Sequence, residues 1–479
     1  MEVGDAGSIE YMFESSAAAA SKGMCPEVIA GWRNLLASEV AGPSGLGDGA
    51  RIDTIRMLEE LVCVATAAQA SLAAELDESQ RAEQAAQGVP AAQQGRGVAA
   101  QVALARRESH HRGQRHLGLA KIVATELPHT WAAWRAGRIT EWKATLIARE
   151  TACLTREDRA TVDAAVAADV TKLERMGDRE LDMACQKEAY RLDPESYVTR
   201  RRKAEADRNV TLRPAPDAMT WLTALLPVKE GVGVYAALNR KAGSARATGD
   251  PRAKGQVMAD TLVGSVLAAA ADRDDAATRW DGTPDRRRQS SQSTPSSPPG
   301  VGVALGLVMT QAALFGTSDE PAHVEGYGPV PAELAREIVA GACSSSEKLW
   351  LHRLYASPTT GELAAMDARG RYFPPSLVRF VRVRDQICRT PWCDAPIRHT
   401  DHPLGVAEGG ATDAENGQGL CEACNYAKQA FGWHARASPT SGAHEIETTT
   451  PTGHRYRSRA PAVAYIYDSP FVIDYVLAG

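Results

Sequence analysis

A chain of 479 residues, 44% of them hydrophobic, is long enough for about two to four domains with buried cores. Its formal net charge of −5 excludes a basic field over the whole protein but still allows a local basic site. The beginning lacks a basic segment followed by an apolar run, and charges interrupt every long apolar stretch. We therefore expect no signal peptide, no transmembrane helix and no membrane partner, and we expect a cytoplasmic location.

The first half of the chain has the pattern of helices. Residues 1–50 are predicted to be partly ordered, and 51–271 to form a helical domain. Apolar residues such as Ile52, Ile55 and Leu58 recur there at helical spacing. This domain is also predicted to contain two short strands, at 210–212 and 219–222, separated by a Pro-Asp turn. Further helices are expected over 231–243 and 252–271.

The second half divides into smaller parts. Charged residues, Ser and Pro dominate residues 272–300, which predicts a disordered linker because such a segment cannot bury a core. After the linker we predict a small α+β region at 301–375, a compact domain at 376–436 and a polar tail at 437–479. Within the α+β region, strands are expected at 301–309 and 349–354, and a helix from Pro331.

Four of the nine cysteines lie close together near the C-terminus. Cys388 and Cys393 form a C-x4-C pair, and Cys421 and Cys424 form a C-x2-C pair after a loop of 27 residues. Two such pairs can surround one tetrahedral Zn²⁺ with thiolate ligands. A redox pair would explain Cys421 and Cys424 but would leave the first pair without a role. The sequence therefore favours a structural zinc. The other five cysteines are scattered and are expected to be buried apolar residues.

The loop between the two cysteine pairs contains residue types that metal-dependent hydrolysis needs. Asp401 and His402 are adjacent, Asn416 follows, and Asn425 comes directly after the last cysteine. We predict one strand over 397–404, a turn at Gly409-Gly410, a second strand near Thr412, and a helix that begins around Asn416 or Cys421. In that arrangement the first strand and the helix face each other across one cation.

The order of these residues resembles a known motif. The pattern C…C…DH…GG.T…N…LC..CN..K, over about 385–433, is similar to the HNH nuclease motif, or ββα-metal fold, of the zinc-knuckle subgroup. Residues about 50–270, with ARRESHHRGQRHLGLA and ELPHTWAAWRAGRITEWKATLIARET, resemble the helical region called domain of unknown function 222 in an actinobacterial group. This second resemblance implies no chemistry. Together they imply a mainly α N-terminal region and a small α+β region that ends in a ββα-metal domain.

The HNH resemblance implies a role for each matching residue. His402 is the general base that deprotonates a water, and Asp401 helps to hold a divalent cation. Asn425 stands where the family has its last His or Asn and is a second cation ligand, whereas Asn416 is the central Asn that braces the loop. Because Asn is a weaker transition-metal ligand than His, this set favours Mg²⁺ or Mn²⁺. Pro403 departs from the motif, which usually has a branched aliphatic residue there.

A small basic segment precedes and overlaps the motif. Residues 371–398 contain six arginines and two aspartates, a local charge of +4. Such charges contact a nucleic-acid backbone without reading its sequence. The expected contacts are Arg384, Arg389, Arg398 and Lys428. The alternative is an ordinary solvated helix face.

These observations lead to one main functional prediction and two alternatives. The main prediction is a metal-dependent HNH endonuclease that hydrolyses DNA phosphodiester bonds, with the helical region as a targeting or regulatory module. The first alternative is a non-catalytic zinc-knuckle DNA-binding protein with a decayed nuclease site. The second is a toxin-like effector, which the apparent lack of a secretion signal weakens. The sequence leaves the oligomeric state open.

Overall fold

The structure is a computed structural model that describes residues 24–40, 45–278, 305–325, 327–344, 373–438 and 444–462. The described part is largely helical. The strand predicted at 349–354 and residues 279–300 of the predicted linker lie outside the described residues. Within that linker, residues 272–278 belong to a helix instead.

A helical body forms the first part of the molecule. Its core contains the fully buried Trp134, Leu146, Ile147, Leu173 and Leu181. Helix α1 (Pro26–Val40) precedes the body. The helices of the body are α2 (Asp48–Ala86), α3 (Val98–Arg106), α4 (His110–Glu126), α5 (Pro128–Arg135), α6 (Glu141–Glu150), α7 (Arg156–Ala167), α8 (Val170–Arg175), α9 (Asp178–Leu192) and α10 (Pro194–Ala206).

Side-chain caps set several starts of these helices. The Thr155 hydroxyl accepts a hydrogen bond from the Asp158 backbone N–H and donates to the Asp158 carboxylate. The buried Asp163 carboxylate accepts from the N–H groups of His129 and Thr130 at the start of α5. Each cap satisfies N–H groups that have no partner inside the helix and contributes about 1 kcal/mol.

A hairpin and two helices follow the body. Strands β1 (Asn209–Ala215) and β2 (Met219–Leu225) pair antiparallel, as predicted, and helices α11 (Val228–Ala247) and α12 (Lys254–Thr278) pack on each other. The Tyr327 hydroxyl donates to the carbonyls of Ala215 and Met219 near the hairpin turn. This hydroxyl belongs to a small unit, which contains β3 (Leu307–Val308), α13 (Gln311–Leu314), β4 (Ala322–Val324), β5 (Gly328–Val330) and α14 (Ala332–Ser344).

The C-terminal domain begins with a helix and ends with a sheet. Its elements are α15 (Pro375–Asp385), β6 (His399–Asp401), β7 (Gln418–Leu420), α16 (Glu422–Lys428), β8 (His434–Ser438), β9 (Glu445–Thr449) and β10 (Arg455–Arg459). The predicted polar tail is thus wrong for 445–459, because β8, β9 and β10 form a three-stranded antiparallel sheet.

The strand predictions around the motif need correction. The first strand covers His399–Asp401 instead of 397–404, and the second lies at Gln418–Leu420 instead of near Thr412. Pro403 has no N–H to continue a ladder. The Leu404 N–H and carbonyl bond instead to the Asn416 side chain. The helix begins after Cys421, one of the two predicted starts.

The C-terminal domain packs against the helical body. Ala100 and Leu104 of α3 form one apolar cluster with Ala427, Ala430 and Trp433. The Thr452 hydroxyl donates to the Gln101 side chain, 2.9 Å away, and extends this contact. The body thereby holds the end of α16, the helix that carries the last residues of the motif.

One described helix, α2, is long and apolar enough to cross a membrane by length and composition alone. That observation is weak evidence, because the core helix of a soluble protein passes the same test. The second half of α2 belongs to the body, where Ala67 and Ala70 are buried in its core.

Candidate functional site

The four cysteines come together at the junction of two turns. Cys388 follows α15, and a turn closed by a hydrogen bond from the Cys393 N–H to the Thr390 carbonyl brings Cys393 back beside it. Cys421 is the N-cap of α16, and its sulfur accepts the N–H of Cys424. All four side chains are buried, and their Sγ atoms lie within 4.8 Å of one another.

The sulfur geometry fits a tetrahedral metal. The Sγ atom of Cys393 lies 3.7 Å from that of Cys421 and 3.6 Å from that of Cys424. Zn–S bonds of about 2.3 Å at tetrahedral angles place sulfur atoms about 3.8 Å apart. These separations are far longer than a disulfide bond, and all four residues are free cysteines. The four cysteines could therefore hold a zinc ion, as the sequence predicts.

Crowding of the four sulfurs changes their affinity for protons. Hydrogen bonds from Cys388, Cys393 and Cys424 lower the pKa of the Cys421 thiol. The pKa of Cys424 is raised, with hydrogen bonding to Cys388 as the largest cause. The pKa of Cys388 is also lowered, chiefly by hydrogen bonding to Cys393. A cluster that favours thiolates is suited to a cation, since thiolates are the form that binds metal.

A buried ion cluster supports the first cysteine pair. The Asp385 carboxylate lies between the guanidinium groups of Arg384 and Arg389, at 2.7 Å and 3.1 Å, and accepts the Gly419 N–H at 2.7 Å. Arg384 also donates to two carbonyls of the loop before β7, and Arg389 donates to the Ser458 carbonyl of β10. This cluster joins α15 to the ββα segment and the C-terminal sheet.

This placement corrects two predicted nucleic-acid contacts. Arg384 and Arg389 are only 2% and 4% exposed, and their donors are used inside the domain, so they are not available to a phosphate. Lys428 is also engaged, because its Nζ lies 2.6 Å from Asp401 Oδ2 and donates to the His402 carbonyl. Of the predicted contacts, Arg398 is exposed, and it lines the same groove as Arg382 and His402.

Asp401 ends strand β6 opposite Gln418 of β7. Its Oδ2 atom accepts from the Gln418 side chain at 3.0 Å and from Lys428. Both contacts fall on Oδ2, so the two N–H donors hold the carboxylate in one orientation beside α16.

His402 follows directly and faces an open groove. Its Nε2 atom lies 2.9 Å from the Thr412 hydroxyl, and its ring packs against Phe373 with ring centroids 4.3 Å apart. Burial lowers the pKa of His402 from its ordinary value of 6.5; the Lys428 ammonium adds to this effect and Asp401 opposes it. The imidazole is therefore neutral at pH 7 and able to accept a proton.

The two asparagines have different surroundings. The Asn416 amide donates to the carbonyls of Leu404 and Ala411, and its oxygen accepts the Leu404 N–H, so this side chain braces the loop after His402. Asn425 is buried on α16, and its Oδ1 atom has no hydrogen-bond partner. Because Asn425 precedes Lys428 by three residues, both lie on the same face of α16.

Sequence reasoning missed three neighbours of the site: Phe373 packs on His402, Thr412 bonds it, and Gln418 orients Asp401. The Gly-Gly-x-Thr part of the motif could have indicated Thr412. Phe373 and Gln418 carry no comparable local signal. His399 stands two residues before Asp401, and its ring centroid is 6.4 Å from that of Tyr426 on α16.

Comparison with known proteins identifies the larger part of the chain. A family model described as Domain of unknown function (DUF222) matches residues 56–385. The chain belongs to the DUF222 family. A DUF222 match that ends at Asp385 leaves the four cysteines, Asp401 and His402 beyond it.

A relative of Mycobacterium tuberculosis (strain ATCC 25618 / H37Rv) carries the name Uncharacterized protein Rv3776. It is 28% identical to this DUF222 protein over 396 residues, which cover 75% of this chain and 69% of the relative. No solved structure matches the chain.

Proposed function

We propose that this DUF222 protein is a metal-dependent endonuclease of the HNH type that hydrolyses DNA phosphodiester bonds. The observation that carries the proposal is a strand–strand–helix unit beside the four-cysteine cluster, in which β6 ends at Asp401, His402 follows it directly and Asn425 lies on the helix. An isolated Asp-His pair is common on protein surfaces. Here two cysteine pairs fix the strand and the helix that carry these side chains.

In this proposal the side chain of His402 acts as the general base. Its Nε2 atom bonds the Thr412 hydroxyl, and if that nitrogen carries the proton, Nδ1 has the free lone pair. Neutral imidazole with a pKa below 6.5 can take a proton from water at pH 7. Packing against Phe373 holds the ring in place while the proton moves.

In the proposed function, Asp401 and Asn425 are the protein ligands of a hard divalent cation. The Asp401 carboxylate and the Asn425 Oδ1, which has no hydrogen-bond partner, would supply oxygen ligands, and Mg²⁺ needs only one or two of these because it keeps several waters. When bound, the cation would stabilise negative charge on the phosphate and the leaving oxygen. The chain's own contribution is to orient Asp401 through Gln418 and to shape the groove with Arg382 and Arg398.

One contact favours a second candidate function. The Lys428 ammonium already neutralises Asp401, which is the arrangement expected of a zinc-knuckle DNA-binding protein with a decayed nuclease site. Such a protein would bind DNA through exposed arginines such as Arg398 and would leave the backbone intact. The two functions differ in one observable, the breaking of a phosphodiester bond.

Incubation of supercoiled plasmid with the full chain tests the proposal. We expect nicked circles with Mg²⁺ or Mn²⁺ and none with EDTA, while gel retardation on the same samples reports binding. Retardation without nicking under every metal condition would support the DNA-binding candidate and contradict the nuclease. Neither nicking nor retardation would exclude both.

A further inference from the structure

Large apolar side chains are exposed mainly in two parts of the described chain. Of forty such side chains, fourteen lie in residues 24–64 and fourteen in residues 198–266. Most soluble monomers expose apolar residues singly, and a contiguous group marks an interaction surface. We call the first group the N-terminal apolar face and the second the hairpin apolar face.

The N-terminal apolar face extends away from the helical body. Helix α1 has no buried residue, and the first buried residue of α2 is Cys63. Ile55, Leu58 and Val62 of α2 stand at positions i, i+3 and i+7, so they share one side of the helix, and all three are exposed. This spacing is typical of a helix face that packs on another element.

The hairpin apolar face has exposed side chains on both sides of the two strands. Residues that pair across the two strands point to the same side of the hairpin, so Leu212 and Leu222 lie together on one side. Met219, Trp221 and Leu225 alternate with Leu222 along β2 and lie on the other side, and all five are exposed. Every residue of β2 is exposed. A two-stranded hairpin is marginally stable in water unless it packs against another element. Helix α11, which follows the hairpin in the chain, is also largely exposed, since its twenty residues include only one buried side chain, Ala242.

The charges of the two faces are complementary. Described residues 24–64 contain six acidic and three basic side chains, a net charge of −3. Residues 198–266, which carry the hairpin apolar face, contain six acidic and twelve basic side chains, a net charge of +6. Opposite local charges favour contact between the two faces.

The area is sufficient for a stable interface. Fourteen side chains that are about half exposed leave on the order of 1,000 Å² of apolar surface in water, compared with about 800 Å² per partner in a standard interface. Each copy of the chain carries one N-terminal apolar face and one hairpin apolar face. A two-fold dimer that packs the N-terminal face of each copy on the hairpin face of the other therefore covers all four faces. A different partner would have to cover an acidic and a basic face separately.

We propose that two copies of the chain form a two-fold dimer in which the N-terminal apolar face of each copy packs on the hairpin apolar face of the other. Ile55 of one copy lies in this interface against the hairpin that carries Trp221 of the second copy. Both side chains are 62% exposed in the single chain, so the interface uses surface that the protomer leaves in water.

Sedimentation equilibrium of the full chain tests the dimer. The expected mass is twice 51.2 kDa at micromolar concentration. Ile55→Asp and Trp221→Asp each place a carboxylate in the interface and should raise the dimer dissociation constant at least tenfold. Thr54→Asp, which adds the same charge at an exposed polar position next to Ile55, is the matched control and should leave it unchanged. Circular dichroism and a thermal melt verify that each variant is folded.

A photo-reactive residue at position 55, in a mixture of ¹⁴N- and ¹⁵N-labelled copies, identifies what covers the face. Cross-links that join position 55 of a ¹⁴N-labelled copy to the 209–225 hairpin of a ¹⁵N-labelled copy, or the reverse, support the proposal. Cross-links confined to one copy, a monomeric mass, or a dimer insensitive to both aspartate substitutions would overturn it. Flotation of the monomer with phosphatidylcholine–phosphatidylglycerol vesicles, lost in Ile55→Asp, would also overturn it in favour of a membrane.

Discussion

Lys428 Nζ lies 2.6 Å from Asp401 Oδ2, so an ammonium group neutralises the carboxylate that the proposed function assigns to a divalent cation. The same ammonium donates to the His402 carbonyl. A cation that enters this site must displace Lys428 from Asp401 or share the carboxylate with it.

Competition of this kind predicts the effect of Lys428→Met. Removal of the ammonium takes away a positive charge close to the site, and at an effective dielectric constant of about 20 this repulsion amounts to a few kcal/mol. We expect Mn²⁺, followed by electron paramagnetic resonance, to bind at least tenfold more tightly. Lys428→Arg, which keeps the charge, serves as the control. Equal or weaker Mn²⁺ binding by Lys428→Met would show that Asp401 does not hold the cation.

The pKa of His402 predicts the pH dependence of cleavage. Burial disfavours the imidazolium and lowers the pKa of His402 from 6.5. The imidazole is therefore neutral above pH 6.5 and becomes protonated as the pH falls through the lowered pKa. The single-turnover rate should be flat near pH 7 and should decline only below pH 6.5, by tenfold per pH unit at the acid end. A decline that begins well above pH 7 would assign the limiting proton transfer to a different group.

The four-cysteine cluster predicts a bound metal that is part of the fold. Metal analysis after chelation of loosely held ions should find about one zinc per chain, and Cys421→Ser should lose it together with the fold of the C-terminal domain. Cys153→Ser, in the helical body, is the matched control and should keep the zinc. Retention of zinc and native near-ultraviolet circular dichroism by Cys421→Ser would refute the four-cysteine site.

Contact between the helical body and the C-terminal domain predicts the effect of Gly97→Ala. Gly97 has a φ of +84°, and a Cβ there would lie 2.3 Å from Trp433 Nε1. Gly88 has a similar φ of +79° but open space around it, so Gly88→Ala measures the backbone cost alone, about 1 kcal/mol. Overpacking adds roughly 1–3 kcal/mol.

Urea unfolding should therefore give Gly97→Ala a free energy of unfolding that is at least about 1 kcal/mol lower than that of Gly88→Ala. Limited proteolysis should also cut between the two domains sooner in that variant. Equal stability of the two variants would mean that Trp433 does not pack on Gly97 in solution.

Local patterns sufficed to predict much of this fold. Helical spacing is a pattern within one element, and the hairpin follows from two short apolar runs around a turn. The cysteine spacing was specific enough to predict that the four sulfurs come together, because two close pairs restrict where they can go.

Other features depend on partners far along the chain. The sequence places Arg384 on a helix, but its burial depends on Asp385 and on carbonyls about thirty residues later. Strand β9 was missed because Glu445 and Glu447 look solvent-exposed in sequence. Both are buried, and arginines such as Arg457 and Arg459 from the neighbouring strand neutralise them. The contact of Gln101 with Thr452 joins residues 351 positions apart, which no local pattern can indicate.

Single-turnover cleavage of a labelled DNA duplex by His402→Ala and His399→Ala tests the nuclease proposal most directly. The two variants remove the same side chain from positions three residues apart, and only His402 bonds Thr412 in the groove. We expect His402→Ala to cut 10²- to 10⁴-fold more slowly than the wild type, as loss of a general base requires, and His399→Ala to stay within about tenfold of it. Equal rates for the wild type and both variants, or no cleavage by any of them, would contradict the proposal.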